Sequence, residues 1–180
     1  ESFTKAGGMY EAAGDTATAY WMDDAPKPTD IMTGPHPGFM TDWQAPWAVF
    51  MTQATGTSSI HETVFESRFS YVGELEKMGA NVSFFSPPID DPQTFYNFNL
   101  DDRIEGFRQA IKINGPTKLH NAVVDIHDLR AGATLILAAL AASGESYVHG
   151  AEHVDRGYEK IEERLTQLGA NIKRFKEEEV

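Results

Sequence analysis

The stretch Leu75-Glu76-Lys77-Met78-Gly79-Ala80-Asn81-Val82 returns as Leu165-Thr166-Gln167-Leu168-Gly169-Ala170-Asn171-Ile172, and such self-similarity restricts the possible folds more than any composition does. A weaker third version is Phe3-Thr4-Lys5-Ala6-Gly7-Gly8-Met9-Tyr10. Each reads as a helix closed by glycine with a strand after it, because the residue past a helix end commonly takes a left-handed backbone. Upstream, Ala54-Thr55-Gly56-Thr57-Ser58-Ser59-Ile60-His61 matches Ala142-Ser143-Gly144-Glu145-Ser146-Tyr147-Val148-His149, and Arg68 and Arg156 each stand twelve residues after the matched glycine. A full unit therefore reads strand, helix, strand, helix, strand, strand. The first copy is expected to survive only as its tail over residues 1–25, with a second over 26–115 and a third over 116–180.

Hydrophobic patterning assigns sides to these elements. The first helix of each full unit, around Trp47 to Met51 and Ala133 to Ala142, is apolar nearly all round, which predicts burial on every side. The second helix of the last unit puts Tyr158, Ile161, Leu165 and Leu168 on one stripe. The strands Ser58–Glu62 and Glu145–His149 alternate, so one face is expected to meet water. The result is an α/β fold turned inside out, helices inside and sheets outside. Residues 86–109 carry Pro87, Pro88 and Pro92, separate two strands, and read as a surface insertion.

A chain of 180 residues is long enough for one proper core. Its net charge of -12 argues against nucleic acid as a partner, since phosphate binding needs a basic face, but leaves a small anionic substrate open. The longest apolar run, Leu135 to Ala142, falls far short of the ~20 residues of a membrane span. The absence of cysteine removes disulfides, thiolate metal sites and a cysteine nucleophile, and agrees with a cytoplasmic location. A start at Glu1 that reads as the inside of an element leads us to expect a piece of a longer protein. The acidic end, Lys176-Glu177-Glu178-Glu179, reads as solvated and frayed.

Helix starts are expected near Thr41, Arg68, Asp128 and Asp155. A helix start favours acids, which suits Asp42 and Asp128 but not Arg68, Arg130 or Arg156. Two readings stay open. Each arginine pairs with a nearby acid (Glu66, Asp128 and Asp155 in turn), or the arginines and helix starts together hold an anion. His149 and His153 lack helix-type metal spacing, and no metal site is expected there. His36, within Gly34-Pro35-His36-Pro37-Gly38, reads as either a loop-ordering residue or a ligand. Trp43 and Trp47, around Pro46, read as core. The chain has neither a phosphate-binding glycine loop nor a dinucleotide fingerprint.

Four segments in order, Pro35-His36-Pro37-Gly38-Phe39-Met40-Thr41-Asp42, Glu62-Thr63-Val64-Phe65-Glu66-Ser67-Arg68-Phe69, Asp128-Leu129-Arg130-Ala131 and His153-Val154-Asp155-Arg156-Gly157-Tyr158, resemble the UDP-N-acetylglucosamine 1-carboxyvinyltransferases. The resemblance implies most of the carboxyl-terminal domain of a two-domain transferase, an inside-out α/β barrel of repeated βαβαββ units, with the amino-terminal domain absent. It implies phosphoenolpyruvate and UDP-N-acetylglucosamine as substrates in peptidoglycan precursor synthesis, with no metal or organic cofactor and neither nucleic acid nor membrane as partner. By the same resemblance Arg68, Arg130 and Arg156 bind substrate, Asp42 binds the sugar hydroxyl and moves its proton, and Val64 and Phe65 contact the sugar nucleotide. The chain departs from the family at Met40 (usually proline), at Trp43 (usually smaller), at Ser67 (usually asparagine) and in His149-Gly150-Ala151-Glu152. The alternatives are a 5-enolpyruvylshikimate-3-phosphate synthase-like transferase and a non-catalytic binding module derived from the fold.

Overall fold

The computed structural model describes residues 1–21, 25–102 and 108–176. The expected frayed end, Glu177 to Glu179, lies outside the described residues.

The chain opens with a short helix α1 (Ser2–Lys5) and the antiparallel hairpin β1 (Gly8–Ala13) and β2 (Thr16–Trp21). The rings of Phe3 and Trp21 meet edge to face at 5.8 Å, and Trp21 meets Phe50 at 5.6 Å, fastening this tail to the next unit. That unit runs β3 (Ile31–Met32), a 3-10 turn (Thr41–Trp43), α2 (Gln44–Met51), β4 (Gly56–His61), α3 (Val72–Lys77), β5 (Asn81–Phe85), α4 (Pro92–Phe95) and β6 (Ala110–Gly115). Its sheet has the order β3-β4-β6-β5, with β3 parallel to β4 and β6 antiparallel to both its neighbours. The last unit is β7 (Val123–Asp125), α5 (Leu129–Ala141), β8 (Tyr147–His149), α6 (Glu152–Asp155) and α7 (Ile161–Gln167), with β7 parallel to β8. Both units thus contain the same parallel strand–helix–strand crossover.

The repeat glycines do what their positions demand. Gly7, Gly79 and Gly169 have φ of 103°, 90° and 95°, and each follows the last turn of its helix. At Gly79 a side chain would also meet His120, since an added Cβ would lie 2.9 Å from its Cδ2.

Helices α2 and α5 pack against each other at the centre of the core. Ala45, Trp47, Ala48, Val49 and Met51 of α2 are buried, as are Ala131, Ala133, Leu135, Ile136 and Ala138 of α5. The large sheet covers this layer, with Ile60, Ile111 and Ile113 turned inward while Thr57 and Lys112 face water.

Four expectations need correction. Among the described residues the sheets are three separate pieces of two, four and two strands, with no closed barrel. Helix α5 is not buried on every side, because Leu137 and Leu140 face outward, with Leu137 38% exposed. On α7, Ile161 and Leu165 touch the core but Leu168 is 84% exposed, and residues 171–176 form no strand, having no neighbouring strand to take their backbone groups. Trp43, read as core, is 52% exposed and rests edge to face on Phe39 at 5.8 Å, while Trp47 is in the core as expected.

Candidate active site

The loop before Thr41 is closed on itself: Gly38 N–H donates to the Pro35 carbonyl at 2.7 Å, and Gly34 N–H to the Phe39 carbonyl at 2.9 Å. It delivers Thr41 and Asp42 to the 3-10 turn that leads into α2. The Thr41 hydroxyl donates at 2.7 Å to Glu62, which follows β4 and is fully buried. The other Glu62 oxygen accepts from the Thr33 hydroxyl at 2.8 Å and from the Val64 and Phe65 N–H groups at 2.8 and 3.1 Å. A buried carboxylate is costly unless its lone pairs are met, and here four donors meet them. Glu62 thereby fixes Thr41, beside Asp42, and the Val64–Phe65 loop on one group. No sequence signal singles Glu62 out, since the equivalent residue of the last unit is Gly150.

Arg68 follows Ser67, which has φ of 54°, and its carbonyl accepts from Gln44 Nε2 at 2.8 Å. Gln44 Oε1 in turn accepts from the buried Tyr71 hydroxyl at 3.0 Å. The Arg68 guanidinium lies over the Phe65 ring, 4.3 Å from its centroid. Burial, and next the neighbouring Arg130 guanidinium, lower the Arg68 pKa from the ordinary arginine value. It still stays charged at neutral pH. The Glu62, Asp42 and Asp128 carboxylates act on Arg68 in the opposite sense, so the two cations already share nearby anions.

Arg130 lies in the first turn of α5. Asp128 caps that helix, one oxygen accepting from the N–H groups of Arg130 and Ala131 at 2.9 Å each, the other from the Ser70 hydroxyl at 2.7 Å. Ser70 thus ties the Arg68 loop to the start of α5. Burial alone would raise the Asp128 pKa, but the Ala131 N–H, the Ser70 hydroxyl, the Arg130 N–H and the Arg68 charge together bring it below the ordinary value. The Arg130 side chain reaches Asp42, its Nε pairing with Oδ1. The ion pair therefore joins the turn ahead of α2 in one unit to the first turn of α5 in the next.

Two of the expected helix starts need revision. Arg68 lies in the loop ahead of α3, outside its first turn, and Arg156 stands at the C-terminal end of α6. Its neighbour Gly157 packs so tightly on Leu129, at the start of α5, that an added Cβ would lie 2.9 Å from its Cδ2. Arg156 is exposed and has no ion-pair partner among the described residues. The expected local pairs do not form among those residues. Asp128 is occupied by backbone N–H groups and Ser70, and Asp155 binds Arg174 in a fork with two contacts of 2.9 Å.

Asp42, Arg68, Arg130, Val64 and Phe65 are thus assembled around the starts of α2 and α5, while Arg156 makes no ion pair with any of them among the described residues. An apolar groove lined by Phe3, Phe39, Trp43, Pro46, Trp47 and Phe50 runs beside this cluster, and Asp42 and the arginines do not line it. Among the described residues no group of three or more acidic or histidine side chains is placed to hold a metal ion, and no helix is long and apolar enough to cross a membrane.

A family profile described as EPSP synthase (3-phosphoshikimate 1-carboxyvinyltransferase) matches residues 4–165. The chain belongs to this family of enolpyruvyl transferases. Within it, the chain is 43% identical over 154 residues to a UDP-N-acetylglucosamine 1-carboxyvinyltransferase of Anaeromyxobacter sp. (strain Fw109-5), covering 86% of this chain and 31% of the relative. It is 43% identical over 171 residues to the protein of that name from Bdellovibrio bacteriovorus, covering 95% of this chain and 36% of the relative. The chain spans about a third of the length of the curated family members it matches. Among solved structures of the family, the enolpyruvyl transferase NikO from Streptomyces tendae superposes with a TM-score of 0.76 at 27% identity, over 95% of this chain and 34% of that one. The fold is also that of the EPSP synthase from Acinetobacter baumannii, with a TM-score of 0.55 at 16% identity over 86% of this chain and 33% of that one.

Proposed function

We propose that the complete protein transfers the enolpyruvyl group of phosphoenolpyruvate to the 3′-hydroxyl of UDP-N-acetylglucosamine, a step of peptidoglycan precursor synthesis, and that this chain supplies one wall of the active site. The supporting observation is the Asp42–Arg130 ion pair with Arg68 close beside it, on the loop that also carries Val64 and Phe65. Phosphoenolpyruvate brings a phosphate and a carboxylate, both matched by the planar fork of arginine. When the substrate binds, Arg130 turns to the anion and releases Asp42. The freed carboxylate accepts the proton of the 3′-hydroxyl as that oxygen bonds to C2 of phosphoenolpyruvate, and C3 gains a proton from a donor elsewhere in the complete protein. Elimination follows: phosphate leaves C2, C3 gives up a proton, and the double bond returns. Arg68, Arg130 and Arg156 hold the charge that develops on the transferring group. The reaction so drawn needs no metal or organic cofactor, and a cytoplasmic location suits both substrates.

The reading is tested in the complete protein. Asp42→Ala and Arg130→Ala are expected to lower kcat about 10²–10⁴-fold while the protein stays folded; turnover at the wild-type rate would sink the assignment. The match to the 3-phosphoshikimate 1-carboxyvinyltransferase profile is consistent with a second reading, transfer to shikimate 3-phosphate. Calorimetric titration with the two acceptors separates them, and tight binding of shikimate 3-phosphate alone would reverse the assignment.

A further inference from the structure

Strands β5 and β6 pair as far as Phe85 opposite Ala110, so a two-residue turn would close the hairpin. The chain instead spends residues 86–109 there. Their described part folds back over the end of β4 and onto the Glu62–Phe65 stretch. Phe95 stacks on His61 with ring centroids 5.3 Å apart, and the Tyr96 hydroxyl is 3.1 Å from His61 Nε2. Asn97 gives the Thr63 carbonyl two hydrogen bonds, from its backbone N–H at 2.8 Å and from Nδ2 at 3.3 Å. Gln109, almost fully buried, donates from Nε2 to the Phe65 carbonyl at 2.9 Å and to the Glu62 carbonyl at 3.3 Å. The Glu62 N–H donates back to the Gln109 carbonyl at 2.8 Å.

The Val64–Phe65 loop is thereby held from two sides. Its N–H groups are taken by the Glu62 carboxylate, and the carbonyls of Glu62, Thr63 and Phe65 are taken by Asn97 and Gln109. A surface loop with no task would not satisfy the backbone of a neighbouring loop so fully, because each such bond costs ordering entropy. We propose that the β5–β6 connection is a clamp for this loop, with Asn97 and Gln109 as positioning residues that set the affinity for the sugar nucleotide. This rests on the reading that Val64 and Phe65 contact that substrate.

The test uses the complete protein, with residues 87–108 replaced by Asn-Gly so that the hairpin and Gln109 are kept, and with Asn97→Ala and Gln109→Met as point variants. Steady-state kinetics should show the KM for UDP-N-acetylglucosamine rising about tenfold in the replacement variant. The point variants should shift it in the same direction, with kcat and the KM for phosphoenolpyruvate within about threefold of wild type. A replacement variant that folds and keeps the wild-type KM for the sugar nucleotide overturns the clamp, as does a loss confined to kcat. Should the replacement fail to fold, an unchanged KM in Gln109→Met overturns the clamp by itself. If the wild-type protein shows no turnover of these substrates, it is the parent assignment that falls, which separates the two failures.

Discussion

Asp128 serves α5 and the site with one carboxylate. It caps the helix, holds the Ser70 hydroxyl of the Arg68 loop, and lies near the Arg68 charge. These contacts favour its ionised form, so its pKa is lowered on folding. A carboxylate depressed in this way contributes stability at every pH above its unfolded value of about 3.9, and that contribution is lost as the pH falls through the lower folded value. Chemical denaturation of wild type and Asp128→Asn, which keeps a capping oxygen but removes the charge, should therefore differ most at neutral pH, by about 0.3–1 kcal/mol, and converge in strong acid. A gap that stays constant down to the lowest pH would show that the carboxylate charge plays no part. Asp128 was legible in the sequence as a helix-start acid because capping is a local rule. Glu62 was not, because the Thr33 and Thr41 hydroxyls that complete its four donors come from segments that only the fold brings to it, although Val64 and Phe65 are its sequence neighbours. Arg130 could be picked out by its helix electrostatics, whereas Arg68 was singled out on a helix start that lies further along the chain, and the partners of the two, Asp42 and the Phe65 ring, could not be read at all. Ser67 adds a further point: at φ of 54° asparagine is better tolerated than serine, so this residue carries some backbone strain beside Arg68.

At the scale of elements, α5 shows how far periodicity carries. Its apolar length was plain, yet Leu135 is fully buried while Leu137, two residues on, is 38% exposed. Leu135→Ala is expected to cost about 2–5 kcal/mol of stability, as large-to-small changes in a packed core do. Leu137→Ala should stay within about 1 kcal/mol. Urea titration of the two variants checks this, and equal losses would contradict the burial of α5. An all-apolar stripe could not reveal which side meets water, because that depends on which neighbours cover it. The glycine-closed helix ends were legible because a left-handed residue leaves a mark in the sequence. The helix expected at Asp155 was not, because the chain there breaks into α6 and α7, separated by Lys160 at φ of 50°.

For the whole molecule, the exposure of the arginine cluster is the governing fact. Asp42 and Arg130 are about half exposed, and electrostatic stabilisation in water is far weaker than in a closed, dry site. This chain alone is therefore expected to release no measurable phosphate from phosphoenolpyruvate and UDP-N-acetylglucosamine, whereas the complete protein should do so at ordinary enzymatic rates. A coupled phosphate assay on both decides the matter, and turnover by the chain alone would show that one wall suffices. The order of the units was legible from their self-similarity, but the three separate sheets were not, because closure depends on strand partners and not on repeated sequence.

The Asp42–Arg130 pair carries a consequence for the joint between the units. It reaches from the turn ahead of α2 to the first turn of α5, so one contact ties the helix start of one unit to that of the next. Substitution of either residue alone leaves the other charge without this partner, so the two positions are free to drift only in concert. The seam between the units is thus both a mechanical joint and the place where the charge of the site is set.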